Sequence, residues 1–184
     1  MLEPAAPAGA SGLFALLPAA ASNRLPSRRM VSVAGHFAGY PLQATLQPDG
    51  QRGHWLKLDK ALQQAAGVSA GQTVALEIAP VAEEPEPVVP DDLNAALAAA
   101  RATWDDITAV ARRDWIFWVV SGKKADTRVK RIATACDMLA AGTRRACCFD
   151  RSGMYSIRLR HQRRKRVEAT GVVLDLRLYM RRNA

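Results

Sequence analysis

Lys123, Lys124, Arg128 and Arg131 crowd the start of a helix. The first turn of a helix carries backbone N–H groups with no intrahelical partner, and the macrodipole makes that end positive. Cations there are locally unfavourable, so something negative must answer them. Acids of the same chain, such as Asp105, Asp106 or Asp114, can complete ion pairs, and this is the commoner outcome for such a cluster. The alternative is an external anion: a phosphate, a nucleic-acid backbone or an acidic peptide. The candidate anion- or partner-binding set is therefore Lys123, Lys124, Thr127, Arg128 and Arg131, with the pair Arg112 and Arg113 just upstream.

Other residue types offer less. The chain has no glycine-rich phosphate loop, no His-x-x-x-His pair and no Gly-x-Ser-x-Gly elbow. His36 sits by a hairpin turn, His54 starts a strand beside Trp55, and His161 stands in an unrelated context. Each reads as a surface or core residue rather than a base. Cys147 and Cys148, between Arg144, Arg145 and Arg151, would have a lowered thiol pKa if exposed, which is the best enzyme or redox-sensor reading. Two inert thiols packed beside Phe149 are the plainer alternative. Cys136, Cys147, Cys148 and His161 match no zinc spacing, so neither metal nor cofactor is expected, and no residue is assigned to catalysis.

These residues need elements to place them. Trp115 and Trp118 stand in an apolar run that ends at Ser121-Gly122, which predicts a helix over 109–121, capped by Thr108. Ala111, Trp115, Trp118 and Val119 share one face, while Ile116, Phe117 and Val120 fill much of the rest. Such a helix is mostly buried. The next helix starts near Asp126 as its cap and ends before Gly142, with Val129, Ile132, Cys136, Leu139 and Ala140 as its core stripe. Lys124, Arg128 and Arg131 lie roughly 100° around from that stripe. Pro90-Asp91-Asp92 opens an earlier helix with its acids in the first turn.

Upstream the period changes to two. Leu13–Leu17, Val31 with Val33, Leu42 through Leu46, Leu56 with Leu58, and Val74 through Ile78 alternate as half-buried strands. Ala38-Gly39, Pro48-Asp49-Gly50 and Ala70-Gly71 supply turns, and a short helix from Lys60 to Ala66 runs between Asp59 and Gly67. The segment 81–90 holds three prolines and three glutamates and reads as an extended, solvated linker.

Hydrophobic residues at 49% and charged residues at 23% describe a globular protein. No apolar run approaches the about 20 residues of a membrane-spanning helix. The net charge of +9 is uneven: residues 151–184 hold ten Lys/Arg against Glu168 and Asp175, a net of +8. That end is suited to nucleic acid, an acidic protein or an anionic surface. Within it, Gly171–Tyr179 alternates as one more candidate strand. An odd cysteine count with two adjacent makes no disulfide framework and fits a reducing compartment. The start, MLEPAAPAGASG, has Glu3 and two prolines and no basic residue, so it reads as a disordered leader rather than a secretory signal. The expected location is the cytoplasm.

The stretch from Val88 to Arg145 resembles the YdeI/OmpD-associated, or bacteriocin-protection, family of bacterial proteins. That pattern has an Arg-Arg pair (Arg112, Arg113), an aromatic stretch (Trp115 to Trp118), a lysine (Lys123 or Lys124), Thr-Arg-x-x-Arg-Ile (Thr127 to Ile132) and a closing glycine (Gly142). The preceding part is similar to the small β-barrel domain of unknown function that often precedes it, akin in fold to AbrB/MazE-like double-split barrels. The resemblance covers about residues 13–150 and implies an α+β protein. Its parts are a disordered leader (1–12), a barrel (13–80), a Pro/Glu linker (81–90), a helical module (91–146) and a basic tail (147–184). Relatives of the barrel begin with a further strand that the leader lacks, so the barrel is expected to be open at one edge, inviting strand addition from a second copy in a homodimer. The resemblance implies stress or cationic antimicrobial-peptide resistance, an association with the envelope, and no agreed enzymatic activity. The expected function is non-enzymatic protection by binding an unknown protein or anionic partner. The alternative is nucleic-acid binding or transcription regulation through the barrel and residues 157–184.

Overall fold

The computed structural model describes residues 12–122, 124–146 and 172–181. Ala38 and Gly39 take positive φ of 49° and 83°, the geometry of a two-residue type I′ hairpin turn. It joins β2 (Val31–Phe37) to β3 (Tyr40–Pro48), in register from Phe37↔Tyr40 to Val31↔Leu46. Asp49 shapes the next turn: its Oδ1 accepts from the N–H of Gln51 at 2.7 Å and of Gly53 at 2.8 Å. This delivers β4 (His54–Lys57). Then α2 (Lys60–Ala66) starts where Asp59 accepts from the Leu62 N–H and stops at left-handed Gly67, as its sequence predicts. β5 (Thr73–Pro80) returns beside β2, and at Gly35 the two backbones come so close that a Cβ would lie 1.9 Å from the Glu77 carbonyl oxygen.

β1 (Gly12–Leu16), followed by the short helix α1 (Ala19–Ser22), pairs with β4 on one side. Its other side pairs with β6 (Val172–Arg181), which also pairs with β5. The order β1-β4-β3-β2-β5-β6 closes an antiparallel barrel. This corrects one expectation: among the described residues the barrel has no open edge awaiting another copy. The strand expected over Gly171–Tyr179 is β6. The physical reason lies in the alternation of Leu174, Leu176 and Leu178. Leu176 and Leu178 are 2% and 1% exposed inside the barrel, and β6 satisfies the backbone groups of both neighbours at once. Leu13, Val31, Val33, Leu46, Leu56, Leu76 and Ile78 complete the interior with their partners, following the alternation in the sequence. On the outer face Phe14 and Trp55 meet edge to face at 6.1 Å, with Tyr179 beside Phe14.

Residues 83–146 form a separate helical unit. Its elements are α3 (Asp91–Ala96), a 3₁₀ turn (Ala98–Ala100), α4 (Arg101–Asp106), α5 (Ala109–Val120) and α6 (Ala125–Ala140). Thr108 caps α5 as expected, accepting from the Ala111 N–H at 3.3 Å. Trp115 and Trp118 are buried with ring centres 6.0 Å apart, packed among Leu93, Leu97, Trp104, Ile132 and Leu139. The core stripe of α6 differs from the expected one. Ile132, Ala135 and Leu139 are buried, but Val129 is 66% exposed and Ala140 is exposed. Near the first turns, Arg128 and Arg131 reach in toward α3 and α5 in place of Val129. Asp126 is not the cap: α6 begins at Ala125 after Lys124, with no side-chain cap, and Asp126 sits in the first turn.

Candidate anion- and partner-binding site

The arginines of the candidate set are largely engaged within the helical unit. Arg128 donates from Nε to Asp92 Oδ2 at 2.6 Å and from Nη2 to Asp92 Oδ1 at 2.8 Å. These bonds hold the Asp92 carboxyl below the usual carboxylate range and push the guanidinium pKa up. Arg131 donates from Nη1 to the Trp118 carbonyl and to Ser121 Oγ, both at 2.6 Å. Its guanidinium lies 5.3 Å from the Trp118 ring centre. It thus caps the C-terminal end of α5, where a cation is favoured, and stacks on an aromatic face.

Arg112 and Arg113, in the second turn of α5, turn to the linker. Arg113 donates to Glu84 Oε1 at 2.6 Å and to Asp114 Oδ1 at 3.1 Å, and all three side chains are nearly buried. Arg112 uses both edges of its guanidinium. Nη1 donates to the carbonyls of Ile107 at 2.6 Å, Trp104 at 3.1 Å and Asp105 at 3.4 Å, around the C-terminal end of α4. Nε and Nη2 form a fork on Glu86, at 2.6 and 2.7 Å, the bidentate geometry suited to a carboxylate. Hydrogen bonding to Glu86 raises the Arg112 pKa above its ordinary value. The linker glutamates therefore do more than solvate their segment: Glu84 and Glu86 strap it to α5.

Two members of the candidate set stand apart. Lys124 is exposed and has no side-chain partner among the described residues, and Thr127 lies half-buried with its Cγ2 near Gly122. Lys123 lies outside the described residues, as do Cys147, Cys148 and His161. Of the three acids the sequence suggested as partners, Asp114 pairs with Arg113, Asp105 with Arg101 and Asp106 with Arg144. The partners that sequence reasoning missed are Glu84, Glu86 and Asp92. Their signal was charge balance, since residues 83–146 hold ten acids and ten bases.

The remaining chemical candidates are structural. His54 is fully buried: its N–H donates to Ser22 Oγ at 3.1 Å and its Nε2 donates to the Arg29 carbonyl at 3.0 Å. Its Nδ1 is buried without a hydrogen-bond partner among the described residues, and burial pushes the imidazole pKa down. Cys136 is half-buried with Sγ 3.2 Å from the Ala96 carbonyl, and burial pushes its thiol up, away from the thiolate a nucleophile needs. Among the described residues no cluster of His, Cys, Asp or Glu is arranged to hold a metal.

A closed antiparallel barrel joined to a helical unit with an Arg-Arg pair and an arginine-capped tryptophan helix defines a two-unit α+β protein. A family model described as bacteriocin-protection, YdeI or OmpD-associated, matches residues 86–142, and one described as domain of unknown function 1905 matches residues 2–78. The helical unit is thus similar to the YdeI/OmpD-associated family, and the N-terminal side to that domain of unknown function. Neither match is to a known enzyme family. No curated protein and no solved structure matches the chain.

Proposed function

We propose that the chain is a non-enzymatic bacterial protein that contributes to protection against bacteriocins and cationic antimicrobial peptides by binding an anionic partner. The family match supports the protective role. The observation that carries the anionic partner is charge. The chain has a net +9, concentrated in residues 151–184, whereas residues 83–146 are balanced. A cationic peptide would be repelled by such a protein, and an anionic partner attracted. The guanidinium fork of Arg112 gives the helical unit a group whose geometry suits carboxylates.

The test is survival and capture. Cells producing the chain should survive a cationic peptide better than cells lacking it. Capture from native extract should weaken when Arg163, Arg164, Lys165 and Arg166 are replaced by Gln. Those positions are preferred to deletion of 157–184, which would remove β6. Equal survival with and without the chain would end the protective reading. Capture that is insensitive to the four substitutions would end the role given to that segment. Recovery of nucleic acid as the captured species would select the nucleic-acid alternative.

A further inference from the structure

We propose that Glu86 is a tethered occupant of the Arg112 fork, and that the fork serves to bind a carboxylate of an acidic peptide segment in a partner protein. This rests on the anionic-partner reading above and names the partner's chemistry. The two edges of the guanidinium have different holders. The Nη1 edge is anchored on the backbone carbonyls of Trp104, Asp105 and Ile107, so the fold itself sets the orientation of the side chain. The Nε/Nη2 edge is then presented as a preorganised fork, and preorganisation is what makes a weak contact selective. Its occupant is held far less firmly. Glu86 lies between Pro85 and Pro87, neither of which has an N–H to anchor the segment, and its side chain is 60% exposed against 17% for Arg112.

The neighbouring pair gives the contrast. Arg113 and Glu84 are each 12% exposed, a contact enclosed on both sides and suited to fastening the linker permanently. Arg128 also forms a fork on Asp92, but no backbone carbonyl anchors its other edge among the described residues. Arg112 alone among these three joins a fixed guanidinium to a solvent-facing carboxylate. An acidic, extended segment could replace Glu86 atom for atom while Glu84 keeps the linker in place. The cis contact then acts as a competitor that lowers the apparent affinity for the partner.

The experiment uses the full chain, hexaglutamate as probe, and the arginine Nε–Hε resonances read by NMR at fixed ionic strength. Glu86→Ala should bind hexaglutamate roughly two- to fivefold more tightly than the parent, the range an exposed ion pair allows. The Arg112 Nε–Hε resonance should shift on titration, while that of Arg128 stays in place. Glu86→Ala combined with Arg112→Lys, which keeps the charge and removes the fork, should lose the gain. No gain in Glu86→Ala, an unmoved Arg112 resonance, or a gain that persists with lysine overturns the proposal. Inorganic phosphate is titrated in parallel, and an equal gain for phosphate overturns the assignment to a peptide carboxylate. Failure here with successful capture above would reject the fork and leave the anionic partner standing. A gain here without capture would do the reverse.

Discussion

Arg128 in the second turn of α6 and Asp92 in the first turn of α3, 36 residues apart, meet through two parallel hydrogen bonds of 2.6 and 2.8 Å. The contact resolves a conflict between two helix ends. Asp92 is favoured at the positive start of α3, while a cation near the start of α6 is not favoured by its own dipole. Pairing the two lets the acid of one helix answer the base of the other.

That relationship makes a pH prediction. The Asp92 carboxyl is depressed in the folded state, chiefly by the hydrogen bond from Arg128. Its stabilising contribution is therefore fully present above the ordinary aspartate value of 3.8 and is lost as pH falls through the lower folded value. Asp92→Asn should unfold at a lower urea concentration than the parent at pH 7. The gap should close as the solution is made more acid than the folded pKa. A gap unchanged down to pH 2 would mean that the substitution acts through something other than this charge.

A second prediction concerns the last strand. Leu176 and Leu178 are as buried as the inner residues of the N-terminal strands. Leu178→Ala should cost roughly 2–5 kcal/mol in urea unfolding, the range for a large-to-small change in a packed core. Deleting residues 172–184 should unpair one side each of β1 and β5 and drive association, visible by light scattering. A monomer with unchanged stability after the deletion would show that β6 does not close the barrel in solution.

How much of this could be read beforehand depends on the range of the interaction. The strands of the barrel followed from alternation, because inward and outward positions are written into neighbouring residues: Val31 with Val33, Leu42 with Leu46, Val74 with Leu76. The pattern also marked a strand over Gly171–Tyr179, but alternation says nothing about which edge a strand joins, so its place between β1 and β5 was hidden. In the helical unit the Trp115–Trp118 face was legible from spacing. The exposure of Val129 was not, because it turns on Arg128 and Arg131 reaching neighbouring helices. The same holds for the candidate site. Cationic residues were visible in a row, but Glu84, Glu86 and Asp92 became their partners only through the path of the linker and the packing of α3 against α6.

The tryptophan pair offers a third test. Trp115 is 1% exposed, and its Nε1 is buried without a hydrogen-bond partner among the described residues. Trp115→Ala should destabilise by roughly 3–5 kcal/mol through the cavity it leaves. Trp115→Phe should cost much less, since it keeps an aromatic ring against Trp118 and removes a buried donor whose missing partner carries a penalty of about 1–3 kcal/mol. Urea denaturation followed by far-UV circular dichroism compares the two variants without relying on the fluorophore being changed. Equal losses would mean that ring packing counts for little at this position.

The last prediction rests on His54, which is fully buried, donates from Nε2 to the Arg29 carbonyl and leaves Nδ1 without a partner among the described residues. Protonation would place a second N–H where none of those residues offers an acceptor. Asp49 nearby favours the charged ring and Arg28 opposes it, but burial dominates and the folded pKa lies below the ordinary 6.5. The unfolded chain therefore takes up a proton first as pH falls. Stability attributable to this residue should be constant above about pH 7 and should decline below 6.5, until the folded imidazole also protonates. His54→Gln keeps an N–H donor for Arg29 but does not titrate. The parent should accordingly lose stability between pH 7 and 5 along a slope that the variant lacks, measured by urea midpoints at each pH. Parallel slopes in the two proteins would assign the acid sensitivity to other groups.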